Sequence, residues 1–107
     1  MNTITFEELK PRLDSGEQVN LLDVREDHER AEYNIGGAHI PLGKVQMMQL
    51  DEIDGWKDQE VIVYCRSGNR SVVAAMFMEQ IGFKNVVNLT GGMLNWKEKD
   101  QQMQQLG

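Results

Sequence analysis

The chain has 107 residues, 40% hydrophobic and 26% charged, with a single cysteine. That length suits one domain and is enough to bury a core, and 10 Gly with only 2 Pro do not mark a disordered chain. Seventeen acidic against eleven basic side chains give a net charge of −6. Such a field repels nucleic acid and anionic membranes, so neither is an expected partner, and one cysteine cannot close an internal disulfide or build a zinc site alone.

The first eight residues, Met1 to Glu8, carry neither the basic nor the apolar region of a signal peptide. The longest apolar stretch, Val72 to Met78, falls far short of the ~20 residues that span a membrane. The expected setting is therefore cytoplasmic and reducing, where a lone thiol stays free.

In chain order, Thr5-Phe6-Glu7-Glu8 has the form of a capping box, so a helix should start near Phe6. Leu9 and Leu13 share its inner face, and Ser15-Gly16 ends it. Val19 to Val24 reads as a buried strand, Glu26 to Tyr33 as a short surface helix, and Ala38-His39-Ile40 as a brief strand before Pro41. Gly43 to Ile53 reads as a second short helix with Val45, Met48 and Ile53 turned inward, closed by a turn at Asp54-Gly55. Glu60 to Cys65 is the clearest strand, apolar for nearly its whole length, as strands of parallel sheets are. A polar loop follows, and then Ser71 to Ile81 is apolar nearly all round, the pattern of the most buried helix, with Gly82 placed to cap it. Asn85 to Leu89 is the last strand, and Thr90-Gly91-Gly92 leads into a final helix carrying Met93 and Trp96, whose polar end begins at about residue 97. Strands alternate with helices, so the fold class is α/β with a mainly parallel sheet.

Cys65 stands at the carboxyl end of that clearest strand, the edge where open α/β sheets bind ligands. Arg66-Ser67-Gly68-Asn69-Arg70 separates it from the next helix, whose positive N-terminal end should face the sulfur. Gly68 and Asn69 tolerate positive φ, and a loop wound that way turns successive N–H groups inward as an anion nest. A cysteine ending an apolar strand is most often an inert small hydrophobe. The arginines, the glycine and the following helix argue instead for a readily ionised thiol that is both nucleophile and anion receptor.

Tyr64-Cys65-Arg66-Ser67-Gly68-Asn69-Arg70-Ser71 resembles the active-site loop of the rhodanese (sulfurtransferase) family. Leu21-Leu22-Asp23-Val24-Arg25-Glu26 resembles the family's first signature, and Ile35-Gly36-Gly37-Ala38 with Ile40-Pro41-Leu42 its middle segment. Leu89-Thr90-Gly91-Gly92 with Trp96 resembles its closing motif. The four stand in family order. Asn34 replaces a frequent His, and the Ala38 to Pro41 segment is about one residue short.

The resemblance implies a single rhodanese-like domain over residues 1–107, with a five-stranded, mainly parallel sheet flanked by helices on both faces. It implies sulfane-sulfur transfer from a small anionic donor such as thiosulfate to cyanide, a thiol or a protein, through a persulfide on Cys65. No cofactor is implied, because the persulfide is the carrier, and no metal site is expected. Arg66, Ser67, Gly68, Asn69, Arg70 and Ser71 would form the persulfide- and substrate-binding loop. Within it Arg66 would draw the donor, Arg70 would brace the loop against a carboxylate such as Asp23 or Glu26, and Ser71 would cap the helix. Asp23 and Arg25 read as supporting scaffold, His28 as an exposed structural residue, and His39 as nearer the site but not a base. The Met47-Met48 pair, Met76 and Met78 read as core filler, and Trp56 and Trp96 as packing, with Trp56 a candidate border of the pocket. The chain is expected to be a monomer. Two other classes stay open: a persulfide carrier or regulatory protein-binding module, and a cysteine phosphatase or arsenate reductase of related fold. The latter needs a Cys-x5-Arg loop, and Cys65 to Arg70 is one residue shorter.

Overall fold

A computed structural model describes residues 1–106. Its sheet has five strands, β1 (Asn2–Ile4), β2 (Leu21–Asp23), β3 (Ala38–His39), β4 (Glu60–Tyr64) and β5 (Asn85–Leu89), in the order β1-β5-β4-β2-β3. Every pairing is parallel, with β4 between β5 and β2. The helices are α1 (Phe6–Asp14), α2 (Asp27–Glu32), α3 (Leu42–Gln46), α4 (Asn69–Gln80) and α5 (Gly92–Leu106), with a 3₁₀ helix at Asp51–Trp56. None is long and apolar enough to cross a membrane among the described residues.

Side chains alternate across each strand, so the sheet divides the core in two. Leu22, Val61, Val63, Cys65 and Val86 face one way and pack with Val45, Ala74, Ala75 and Met78 of α3 and α4. Ile4, Leu21, Ile62, Tyr64, Val87 and Leu89 face the other way and pack with Phe6 and Leu9 of α1 and Met93 and Trp96 of α5. Phe6 and Trp96 meet edge to face at 4.8 Å, a geometry that adds about 0.5–1.5 kcal/mol beyond area burial.

The Thr5 capping box forms as expected: Thr5 Oγ1 accepts the Glu8 N–H, and the Glu8 carboxylate accepts the Thr5 N–H. Gly82, at φ 107°, follows the α4 C-cap, and the Phe83 N–H reaches back to the Met78 carbonyl.

Four expectations change. Residues 2–4, read only for what they lacked, form an edge strand on β5. The helix expected over Gly43 to Ile53 breaks after Gln46, because Met48 takes a left-handed φ of 59°, and its second half continues as the 3₁₀ turn. Val45 and Ile53 are buried, but Met47, Met48 and Met76 are exposed rather than core filler, since the break and the outer face of α4 turn them to solvent. α4 buries Ser71, Ala74, Ala75 and Met78, yet its apolar character continues onto a face that is only half covered.

Candidate active site

β2 leads by way of α2 to β3 on one side, while β4 leads by way of α4 to β5 on the other. Between the carboxyl ends of β2 and β4 the connections diverge, which opens a crevice where open α/β sheets hold ligands. Cys65 lies just past β4 at this point and is 1% exposed.

The loop after Cys65 turns back on the sulfur. Gly68 takes a φ of 103° and is the N-cap of α4, a conformation that glycine reaches without strain. The turn aims the first free amides of the helix inward. Gly68 N–H donates to Cys65 Sγ at 3.1 Å and Ser71 N–H at 3.4 Å, while the thiol donates to Ser71 Oγ at 3.4 Å. Burial raises the thiol's pKa. The hydrogen bonds from Ser71, Gly68 and Ser67 outweigh that and hold it below its ordinary value.

A second helix end fixes the start of the loop. At the α5 N-terminus, the Met93 N–H donates to the Cys65 carbonyl and the Leu94 N–H to the Arg66 carbonyl, both at 2.9 Å. The approach requires glycine: a Cβ on Gly92 would lie 2.4 Å from the Cys65 carbonyl oxygen. The loop is thus held between two helix N-termini, one donating to the sulfur and the other to the backbone carbonyls.

Ser71 lies in the first turn of α4 and does not cap it. Its hydroxyl reaches the Gly68 carbonyl at 3.1 Å and, at closer range, the Asn88 side-chain carbonyl. Arg70 braces the loop, but against neither expected carboxylate. It makes a bidentate pair with Glu29 of α2 at 2.7 and 2.8 Å. That guanidinium holds the Glu29 carboxyl down to about 2. Glu29 is one helical turn beyond Glu26, at the position from which its side chain also closes α2's capping contact.

Asp23 and Arg25 form a buried pair at the end of β2. Asp23 accepts from the Arg25 backbone N–H at 3.0 Å and from its Nε and Nη2 at 2.9 Å. Arg25 also donates to the Tyr33 carbonyl at 2.6 Å and lies over the Tyr64 ring. His39 Nε2 bonds the Arg25 carbonyl at 2.7 Å, and His28 is exposed. Arg66, Ser67 and Asn69 are exposed along the loop.

A cleft of about 210 Å³ opens beside the loop, lined by Arg25, Glu29, Glu32, Tyr33, Arg66, Met93, Leu94 and Lys97. Trp56 packs partly buried against the other core layer and does not border it. Arg25 and Glu29 already have partners in Asp23 and Arg70. Arg66 and Lys97, the latter 5.0 Å over the Tyr33 ring, then face Glu32, so the cleft is locally positive on an acidic molecule.

Sequence reasoning missed Glu29, Asn88 and the role of Gly92. Only Gly92 had a signal, as part of the Leu89 to Trp96 motif.

A family model for the rhodanese-like domain matches residues 5–99. A sulfurtransferase of Allochromatium vinosum is 38% identical over 97 residues, 90% of this chain and 88% of that protein. YrkF of Bacillus subtilis is 40% identical over 99 residues, 92% of this chain, and the chain spans only 52% of YrkF's length. The crystal structure of a rhodanese-like domain protein from Staphylococcus aureus superposes with a TM-score of 0.75 at 32% identity, covering 90% of this chain and 91% of that one. The family-model match over residues 5–99, the identity over nine-tenths of the chain and the superposition over nearly the whole fold place this chain in the rhodanese-like domain family.

Proposed function

We propose that the chain is a sulfurtransferase in which the Cys65 thiolate takes the outer sulfur of an anionic donor such as thiosulfate. A sulfur lone pair of Cys65 forms the new S–S bond as the donor's S–S bond breaks. Sulfite leaves with that electron pair, and a persulfide anion remains on Cys65. Cyanide, a thiol or a protein thiol then attacks the outer sulfur, and the Cys65 thiolate leaves unchanged.

The observation that carries this reading is the sulfur's position inside a ring of amides at the α4 N-terminus, with Gly68 and Ser71 N–H groups 3.1 and 3.4 Å away. Those amides favour an anionic sulfur before transfer, and the loop from Arg66 to Ser71 would stabilise the charge on the outer sulfur afterwards. Ser67, Gly68 and Asn69 supply the turn, Arg70 anchors it through Glu29, and Asp23 with Arg25 supports the strand end beside it. Arg66 and Lys97 make the cleft attractive to an anion despite the net charge of −6. The match over 90% of this chain to a sulfurtransferase of Allochromatium vinosum supports sulfur transfer in general.

The test is direct. The protein is incubated with thiosulfate and weighed intact, and then cyanide is added and thiocyanate followed. The wild type should gain one sulfur and release it as thiocyanate, and Cys65→Ser should do neither. A wild type that gains no sulfur overturns the thiosulfate reading.

A further inference from the structure

Asn88 is out of place by composition. It sits in β5 between Val87 and Leu89, is 7% exposed, and projects to the same face of the sheet as Cys65 and α4. A buried polar side chain in a valine-rich strand needs a partner, and Asn88's is Ser71.

The Ser71 hydroxyl has one proton and three acceptors within reach: the Asn88 Oδ1, the Gly68 carbonyl at 3.1 Å and Cys65 Sγ at 3.4 Å. The two carbonyls can only accept. With the proton turned to Asn88, the Ser71 lone pairs face the sulfur, and that contact is a hydrogen bond only if the sulfur carries a proton to donate. Once Cys65 is anionic, the hydroxyl must turn its proton to the sulfur. The Asn88 carbonyl would then oppose the Ser71 oxygen with no proton between them, at high cost in a buried place. An amide resolves the conflict where no other side chain of its size does. A half-turn about its last bond replaces Oδ1 by the donor Nδ2.

We propose that Asn88 is a positioning residue whose amide turns with the charge on Cys65, presenting Oδ1 to Ser71 while the sulfur is a thiol and Nδ2 when it is a thiolate or persulfide. The inference rests on Cys65 being the nucleophile, but its test needs no sulfur donor. The charged groups around the loop are Arg66 and Arg70 on the loop and α4, Glu29, Arg30 and Glu32 on α2, Lys97 on α5, and Asp23 with Arg25 at the end of β2. Their hydrogen bonds go to one another, to backbone or to the Tyr64 hydroxyl, not to Ser71 or Asn88. The relay from Asn88 through Ser71 therefore reports the charge on the sulfur.

The wild-type protein without donor is titrated while thiolate absorbance and the Asn88 side-chain amide signals are followed by NMR. The Asn88 Nδ2 protons should move downfield and gain protection from exchange with the same midpoint as the thiol. Asn88→Asp, which can only accept, should hold the Ser71 proton away from the sulfur and slow alkylation of Cys65 about tenfold at the wild-type midpoint. Asn88 signals that stay still through the thiol titration overturn the proposal even if Asn88→Asp fails to fold. Unchanged alkylation in a folded Asn88→Asp protein overturns it as well. Failure to form a persulfide would leave both readouts intact and count only against the sulfur-transfer reading.

Discussion

Cys65 shows how a nearly inaccessible sulfur can still ionise more readily than an ordinary thiol. Burial opposes ionisation, and the Ser71 hydroxyl with the Ser71, Gly68 and Ser67 amides wins by hydrogen-bonding to the anion. This preference is also a contribution to stability. The thiol's folded pKa lies below its ordinary 9.0, so the contribution is fully present above 9.0 and is lost as pH falls through the lowered value. In urea unfolding, the stability of the wild type relative to Cys65→Ala should therefore rise as pH approaches 9.0 from below. A difference that is flat or falls with pH would show that the amides do not stabilise the thiolate. At this scale Cys65 and its loop are legible in the sequence, because strand, arginines, glycine and helix are contiguous. Asn88 is not, since nothing within Asn85 to Leu89 says that its side chain meets a residue of α4.

At the scale of elements, the loop exists because two helix N-termini converge on it. α4 follows Cys65 directly and was expected there. α5 begins more than twenty residues later, and only the β4–β5 pairing brings its first amides onto the Cys65 and Arg66 carbonyls. Gly92 is the point of closest approach. A methyl group there would meet the Cys65 oxygen at 2.4 Å and the Arg66 oxygen at 2.7 Å, at a φ of 55°. Gly92→Ala should cost about 1–3 kcal/mol and depress persulfide formation per folded molecule. Gly43→Ala, where no atom lies within 4 Å of the added carbon, should leave both nearly unchanged. Chemical denaturation paired with the intact-mass assay checks this, and equal effects at the two glycines would remove Gly92 from the loop's support. The helix expected over Gly43 to Ile53 failed at this same scale. Apolar spacing carried the expectation through Met48, whereas the backbone left the helix before it.

The whole molecule is acidic at −6, while the cleft beside the loop is locally basic through Arg66 and Lys97. The two fields act at different range. At ~0.1 M salt charges more than ~10 Å apart are largely screened, so distant repulsion fades before local attraction does. Arg66→Ala should raise the KM for thiosulfate several-fold and leave persulfide formation at saturating donor intact. In that variant added salt should lower the KM, because much of the local attraction is gone and repulsion remains. Steady-state kinetics at several ionic strengths test both. An unchanged KM in Arg66→Ala would remove Arg66 from donor binding.

What the sequence determined by itself was the local and the contiguous: alternating strands and helices, a buried β4, a capped α1, and a cysteine between a strand and a helix. These follow from spacing and residue type, which act over a few neighbours. The tertiary structure alone decided the edge strand β1, the Arg70–Glu29 brace, the seat of α5 on the loop and the Asn88 contact. Each joins residues remote in the chain. Parallel strand pairing and the two-faced core set those distances, and no local pattern encodes them.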